Sequence, residues 1–120
     1  MNEDFPKSEK LCGAANIDNL YQNGRKFVVW PMRVTYIESE DTHSQVLIWA
    51  PKSLFHRAVD RNRLRRLMRE AYRLNKHILC DVDKTYQLAF NYIDKQKHDF
   101  QLINRAMCKA LKRLATANEI

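Results

Sequence analysis

A chain of 120 residues with 21 Lys and Arg against 14 Asp and Glu carries a net charge of +7, and at this size the surface buried on folding supports one domain around one core. The surplus of positive charge favours a polyanionic partner over an acidic small substrate, while three scattered cysteines, Cys12, Cys80 and Cys108, form neither a disulfide framework nor a CxxC metal site. No apolar run approaches the ~18 residues of a membrane span, and the acidic, proline-containing start from Met1 to Lys10 lacks a signal-peptide core, so a cytoplasmic location is expected.

Two glycines and three prolines give few break points, and there is no repeat or low-complexity linker. Residues 1–120 therefore read as a single domain, with an extended arm at 1–12 and a tail at 116–120. Ile17, Leu20 and Tyr21 have the i, i+3, i+4 spacing of a short helix stopped by Gly24. From Lys26 to Glu38 the period becomes two: Val28, Trp30, Met32, Val34 and Tyr36 share one face of a strand, and Pro31, Arg33 and Thr35 the other. On that pattern Trp30 and Tyr36 belong to the core, and Pro31 marks an edge position or a bulge. Glu38 to Ser44 is a polar turn, and Gln45 to Ala50 reads as the return strand of a hairpin, with Trp49 left unassigned.

A helix is predicted from Ala58 to Lys76, then a strand from Lys84 to Ile93 in which Tyr86, Leu88, Phe90 and Tyr92 alternate with Gln87, Ala89 and Asn91. The last segment is helical, with an apolar stripe of Phe100, Ile103, Met107, Ala110, Leu111 and Leu114 and with Asp99 as N-cap. The order α-β-β-α-β-α points to an α+β fold with helices packed on a small sheet.

Between Arg61 and Arg73 the sequence RNRLRRLMREAYR places six arginines in thirteen residues. On a helical wheel Leu64, Leu67, Met68 and Ala71 cluster on one side with Tyr72 at the edge, and Asn62, Arg65, Arg66, Arg69 and Arg73 take the other. Arg65, Arg69 and Arg73 stack like charges at i, i+4, i+8, a mildly costly repulsion that an external anion relieves. A solvated face neutralised elsewhere in the fold is the plain alternative. Asp60 and Glu70 are too few to neutralise six guanidinium groups locally, and arginine at every position suits bidentate phosphate contacts. The pattern points to nucleic acid, with DNA and RNA both open.

Catalysis by the protein has little support. Two-metal phosphodiester chemistry needs converging carboxylates, whereas Asp81, Asp83 and Asp94 bracket a strand and Asp81-Val82-Asp83 reads as a turn. His43, His56, His77 and His98 lack metal-ligand spacing.

The run Arg57-Ala58-Val59-Asp60-Arg61-Asn62-Arg63-Leu64-Arg65-Arg66-Leu67-Met68-Arg69-Glu70-Ala71-Tyr72-Arg73 resembles the signature helix of the bacterial ribonuclease P protein family: a small residue, RNR, an aliphatic, two basic residues, then RE, an aromatic and Arg. Phe5-Pro6-Lys7, the helix end at Asn23-Gly24, and Lys52 ahead of the signature helix extend the resemblance over about residues 5–114. Departures stand at Ile17, Tyr21, Leu47 and Ser53.

The resemblance implies a small mixed sheet packed with helices, similar to the second domain of a small-subunit ribosomal protein, with a left-handed βαβ crossover around the signature helix. It implies a subunit of ribonuclease P whose Arg61, Asn62, Arg63, Arg65, Arg66, Arg69 and Arg73 bind the catalytic RNA. A concave sheet face with Tyr21, Arg33 and Lys52 would hold the 5′ leader of precursor tRNA, although periodicity alone reads Tyr21 equally well as a residue packed on the sheet. The RNA is expected to position Mg2+ and perform the hydrolysis, with no catalytic or metal-binding residue in the protein and no further protein partner. The alternatives are a ribosome-associated structural RNA-binding protein, expected on ribosomal RNA, and a protein-only endonuclease, expected to cleave without an RNA cofactor.

Overall fold

The computed structural model describes residues 11, 13–39, 44–80 and 85–117. Its elements are α1 (Ala14–Asn23), β1 (Arg25–Val29), β2 (Met32–Ser39), β3 (Gln45–Trp49), α2 (Ala58–Asn75), α3 (His77–Cys80), β4 (Thr85–Tyr92) and α4 (Phe100–Ala117). Cys12, His43, Asp81, Asp83 and the segment Phe5-Pro6-Lys7 lie outside the described residues.

The alternating run from Lys26 to Glu38 folds as a hairpin and not as one strand. A two-residue turn at Trp30 and Pro31, joined by a cis peptide bond, separates β1 from β2; in a turn, proline costs the sheet no ladder donor. The turn pairs Phe27 with Val34 and Val29 with Met32, so the inward residues have odd numbers in β1 and even numbers in β2. Val29, Met32 and Val34 are buried, whereas Val28 and Trp30 are each 53 % exposed. Trp30 is therefore a surface residue, contrary to the expectation from a single strand. Tyr36 does pack against the core.

Contrary to the hairpin expected from the sequence, β3 does not return against β2 but pairs in parallel with β4, Val46 opposite Leu88 and Trp49 opposite Asn91. The other side of β4 takes β2 antiparallel, from Met32 opposite Tyr92 to Ser39 opposite Thr85. The sheet order is β1-β2-β4-β3. The run Leu88, Ala89, Phe90 is buried on both faces of the strand, which suits β4 to the interior of the sheet. Parallel pairing needs a long crossover, supplied by the segment carrying α2 and α3. The observed order is thus α-β-β-β-α-α-β-α, within the expected α+β class with a mixed sheet.

One sheet face carries Met32, Val34, Val46, Leu88, Phe90 and Tyr92 against the apolar sides of α2 and α4. Leu64, Met68, Ala71 and Tyr72 are the buried residues of α2, as its wheel predicts, and Leu67 packs at the margin. Asp99 caps α4 by accepting the Leu102 N–H at 3.0 Å. The last turn of α4 takes in Thr116 and Ala117, the first residues of the expected tail. At the far end of α2, Asn75 Nδ2 donates to Asn104 Oδ1 of α4 at 2.7 Å.

Among the described residues, the opposite face is covered by α1 and Leu11. Leu20 and Leu11 meet Ala89, with Ile17, Tyr21, Ile37 and Leu47 around them, and the Leu11 N–H donates to the Val46 carbonyl at 3.0 Å. Gly24 ends α1 where the chain folds straight into β1. A Cβ there would clash with the Leu20 carbonyl oxygen and stand 2.9 Å from that of Tyr36, so only glycine permits this approach.

Candidate nucleic-acid interface

Because α2 buries one side, its basic residues divide by geometry. Asn62, Arg63, Arg66 and Arg69 are exposed, and Arg61, Arg65 and Arg73 are half-buried. Both acids of this helix are already engaged: Asp60 with Lys97 at 3.3 Å, and Glu70 with Arg73 of the next turn. The hydrogen bonds from Arg73 hold the Glu70 carboxyl below the usual carboxylate range. Among the described residues, no ion pair engages Arg61, Arg63, Arg65, Arg66 or Arg69. A cationic face with its local acids spent is one that an external polyanion stabilises.

Arg61 differs from the rest. Its guanidinium donates to the carbonyls of Phe55 at 2.9 Å and His56 at 3.0 Å, tying the entry loop to the first turn of α2. Arg65 leans the other way. It donates to Asn62 Oδ1, and its Cζ lies 5.6 Å from the ring centroid of Trp49 on β3, within cation–π range.

That contact joins α2 to a row of side chains crossing the outer sheet face. In register, Val28 of β1 lies opposite Arg33 of β2, Arg33 opposite Asn91 of β4, and Asn91 opposite Trp49 of β3. Directly opposed residues point to the same face, and three inter-strand gaps make a row about 14 Å long. Arg33 is exposed and Trp49 is 45 % exposed. From α1, the Tyr21 hydroxyl donates to Asn91 Oδ1 at 3.0 Å, so Tyr21 borders the row and buttresses its amide. An indole, an amide, a guanidinium and an apolar edge in line suit an extended polyanion bearing flat bases.

Of the three residues expected in a cleft, Tyr21 and Arg33 come together around Asn91. Lys52 is exposed in the turn after β3, three residues past Trp49. Asn91 and Trp49 had no assigned role in the sequence. Their signal was the opposite parity to the buried Leu88, Phe90 and Val46, usable only once β3 is known to pair with β4.

Elsewhere the titratable groups serve the scaffold. Tyr92 donates its hydroxyl to the Gln96 carbonyl at 2.6 Å and accepts the His98 N–H at 3.1 Å; burial pushes its phenol up to about 12, against the pull of that N–H. His98 pairs with Asp94, whose carboxyl the hydrogen bond holds below the usual range. His56 and His77 are exposed, and Cys108 is a free thiol. Among the described residues no three His, Cys, Asp or Glu side chains converge as a metal site, and no helix is long and apolar enough to cross a membrane.

Comparison with known proteins agrees with this architecture. The family model described as Ribonuclease P matches residues 5–115. The ribonuclease P protein component of Porphyromonas gingivalis is 43 % identical over 116 residues, covering 91 % of this chain and 85 % of the relative. That of Chlorobaculum tepidum is 36 % identical over 105 residues, covering 82 % and 63 %. The fold is similar to that of the RNase P protein from Thermotoga maritima, with a TM-score of 0.75, 21 % identity and coverage of 88 % of this chain and 96 % of that one. The Staphylococcus aureus RNase P protein gives a TM-score of 0.76 at 19 % identity, covering 90 % and 96 %.

Proposed function

The chain belongs to the ribonuclease P protein component family, and from that premise we propose how its two surfaces divide the work of the ribonucleoprotein. The family's enzyme is an endoribonuclease of tRNA processing in which the RNA is the catalyst, and this chain is its protein subunit and binds that RNA. The outer side of α2, with Asn62, Arg63, Arg65, Arg66, Arg69 and Arg73, docks on the catalytic RNA by replacing condensed counterions with guanidinium groups. Arg61 contributes by fixing the entry of the helix. The row Trp49, Asn91, Arg33 and Val28, bordered by Tyr21 and extended by Lys52, takes the 5′ leader of precursor tRNA in the cytoplasm. In this reading Mg2+ is held by the RNA phosphates, and the protein's part is to bind and position RNA.

The observation that supports this reading is the contact between Arg65 and Trp49. One end of the row opens on the docking helix, so the leader nucleotides nearest the scissile phosphate lie beside the RNA that cuts it. Mature tRNA has no leader, and such a row raises affinity for precursor selectively and favours product release. The test is holoenzyme affinity for precursors with leaders shortened stepwise, using wild type, Arg33→Ala and Lys52→Ala. The gain should grow over about the first two to four nucleotides, the upper number being what a 14 Å row accepts at a stacked spacing of roughly 3.4 Å each, and shrink in both variants. Equal stimulation at every leader length contradicts the leader row and leaves α2 as an RNA-docking element only.

A further inference from the structure

At the other end of the row the sheet does not simply stop. Val28, the last residue of the row, also lines a groove of about 1200 Å³ that runs past Val29 and Trp30 onto α4. Val28 points to the outer face while Val29 is buried against the inner core, so the groove wraps around the free edge of β1. Its far wall carries Arg105, Lys109, Lys112 and Arg113. No acid occurs among the described lining residues, nor in the sequences of β1 and α4.

The charges here stack as they do on α2. Arg105, Lys109 and Arg113 follow at i, i+4, i+8 on one helix, a repulsion that an anion relieves. Arg113 lies 4.5 Å over the Phe27 ring. Trp30 is held at the mouth by an edge-on contact with His98 at 4.5 Å between ring centroids, and it remains 53 % exposed. The loop presenting His98 is in turn fixed by Tyr92. A braced, half-exposed indole beside a stripe of cations is the combination that binds single-stranded nucleic acid with little regard to sequence. At about 1200 Å³ the groove exceeds the ~300–1,000 Å³ of ordinary small-molecule sites. Arg25 and Lys26 on β1 discourage addition of a peptide strand to this edge.

We infer that the β1–α4 groove receives the distal part of the 5′ leader, after the strand has crossed the outer row and turned over the sheet edge at Val28. The inference rests on the leader reading above and assigns a direction to it: the cleavage-proximal nucleotides lie at Trp49 and Arg65, the distal ones at Trp30 and α4. Arg105 to Arg113 spans about 12 Å of helix, room for about another two to four nucleotides, the upper number at a stacked spacing of roughly 3.4 Å each. Affinity should therefore rise in two stages with leader length, once up to about four nucleotides and again between about five and ten.

The experiment compares wild type with Arg105→Gln/Lys109→Gln/Lys112→Gln, three exposed positions where glutamine keeps helix propensity, each in holoenzyme reconstituted with catalytic RNA. Precursors with leaders of about two, five and ten nucleotides and mature tRNA are titrated at several salt concentrations, with circular dichroism as the check on folding. The triple variant should keep the first stage and lose the second, about five- to tenfold at low salt, with the salt slope for the longest leader falling by roughly two. Restoring charge with Lys109→Arg and Lys112→Arg in place of the glutamines should restore the second stage. Identical length dependence in wild type and variant overturns the inference and leaves the groove to a non-RNA partner. An equal loss for every substrate, mature tRNA included, also overturns it and makes the groove a contact to the catalytic RNA. If leader length has no effect even in wild type, the leader reading itself fails and this extension with it.

Discussion

The two faces of the sheet are covered very differently. The inner face lies under α2 and α4, helices of 18 residues each and about 27 Å long, and Met32, Val34, Val46, Leu88, Phe90 and Tyr92 are buried there. On the outer face the described cover is α1, ten residues and about 15 Å, with Leu11 beside it. That helix reaches Leu20 over Ala89 and stops, leaving Trp49, Asn91, Arg33 and Val28 in an open row. The larger core lies on the face with two helices, and the proposed leader row on the face with one.

This contrast breaks most easily at Phe90, which has no exposed surface and packs against Tyr72 at 6.1 Å between ring centroids. Phe90→Ala should cost about 3–5 kcal/mol in urea unfolding, while Trp49→Ala on the outer row should stay within about 0.5 kcal/mol of wild type. Comparable costs would mean that the outer row is core. Next in size is Arg65→Ala/Arg69→Ala, expected to leave the unfolding midpoint nearly unchanged, to weaken holoenzyme assembly by roughly 1.5 kcal/mol or more per lost charged contact, and to reduce the salt slope by about two. Unfolding of that variant, or unaltered assembly, would put the wrong side of α2 outward.

Smaller still is Tyr21→Phe, which removes the hydroxyl donated to Asn91 and should lower stability by about 0.5–1.5 kcal/mol. A larger loss would make α1 part of the main core. The smallest effect concerns pH. The Glu70 carboxyl is depressed by Arg73, so its contribution is present above the ordinary carboxylate range and disappears as pH falls through its folded value. Because the Glu70 side chain is 45 % exposed and screened by solvent, the change should be well below 1 kcal/mol, read as a slightly flatter acid limb for Glu70→Gln than for wild type.

Helical periodicity and alternation made α2, β4 and α4 legible in the sequence, and the cationic side of α2 followed from its wheel. The hairpin at Trp30 and Pro31 was not legible. A two-residue turn preserves alternation on both sides while exchanging which parity faces the core, so Val28 and Trp30 looked buried with Met32 and Val34. Nor was the partner of β3 legible, because proximity along the chain favours a hairpin with β2, whereas the eight-residue register of β2 with β4 takes that edge. Without this pairing Trp49 had no neighbours in the reading, and the row that depends on it was invisible. The resemblance of the RNR helix to a known family supplied Arg33 and Tyr21; only the sheet register brings them together with Asn91.

In the proposed function the leader crosses the outer row at Trp49. The chain has two tryptophans, so Trp30→Phe leaves Trp49 as the sole indole reporter, and its fluorescence can be followed in reconstituted holoenzyme on addition of precursor with a leader of about five nucleotides or of mature tRNA. Stacking of a leader base on the exposed indole predicts quenching with precursor and little change with mature tRNA. An identical response to both substrates would contradict the leader row.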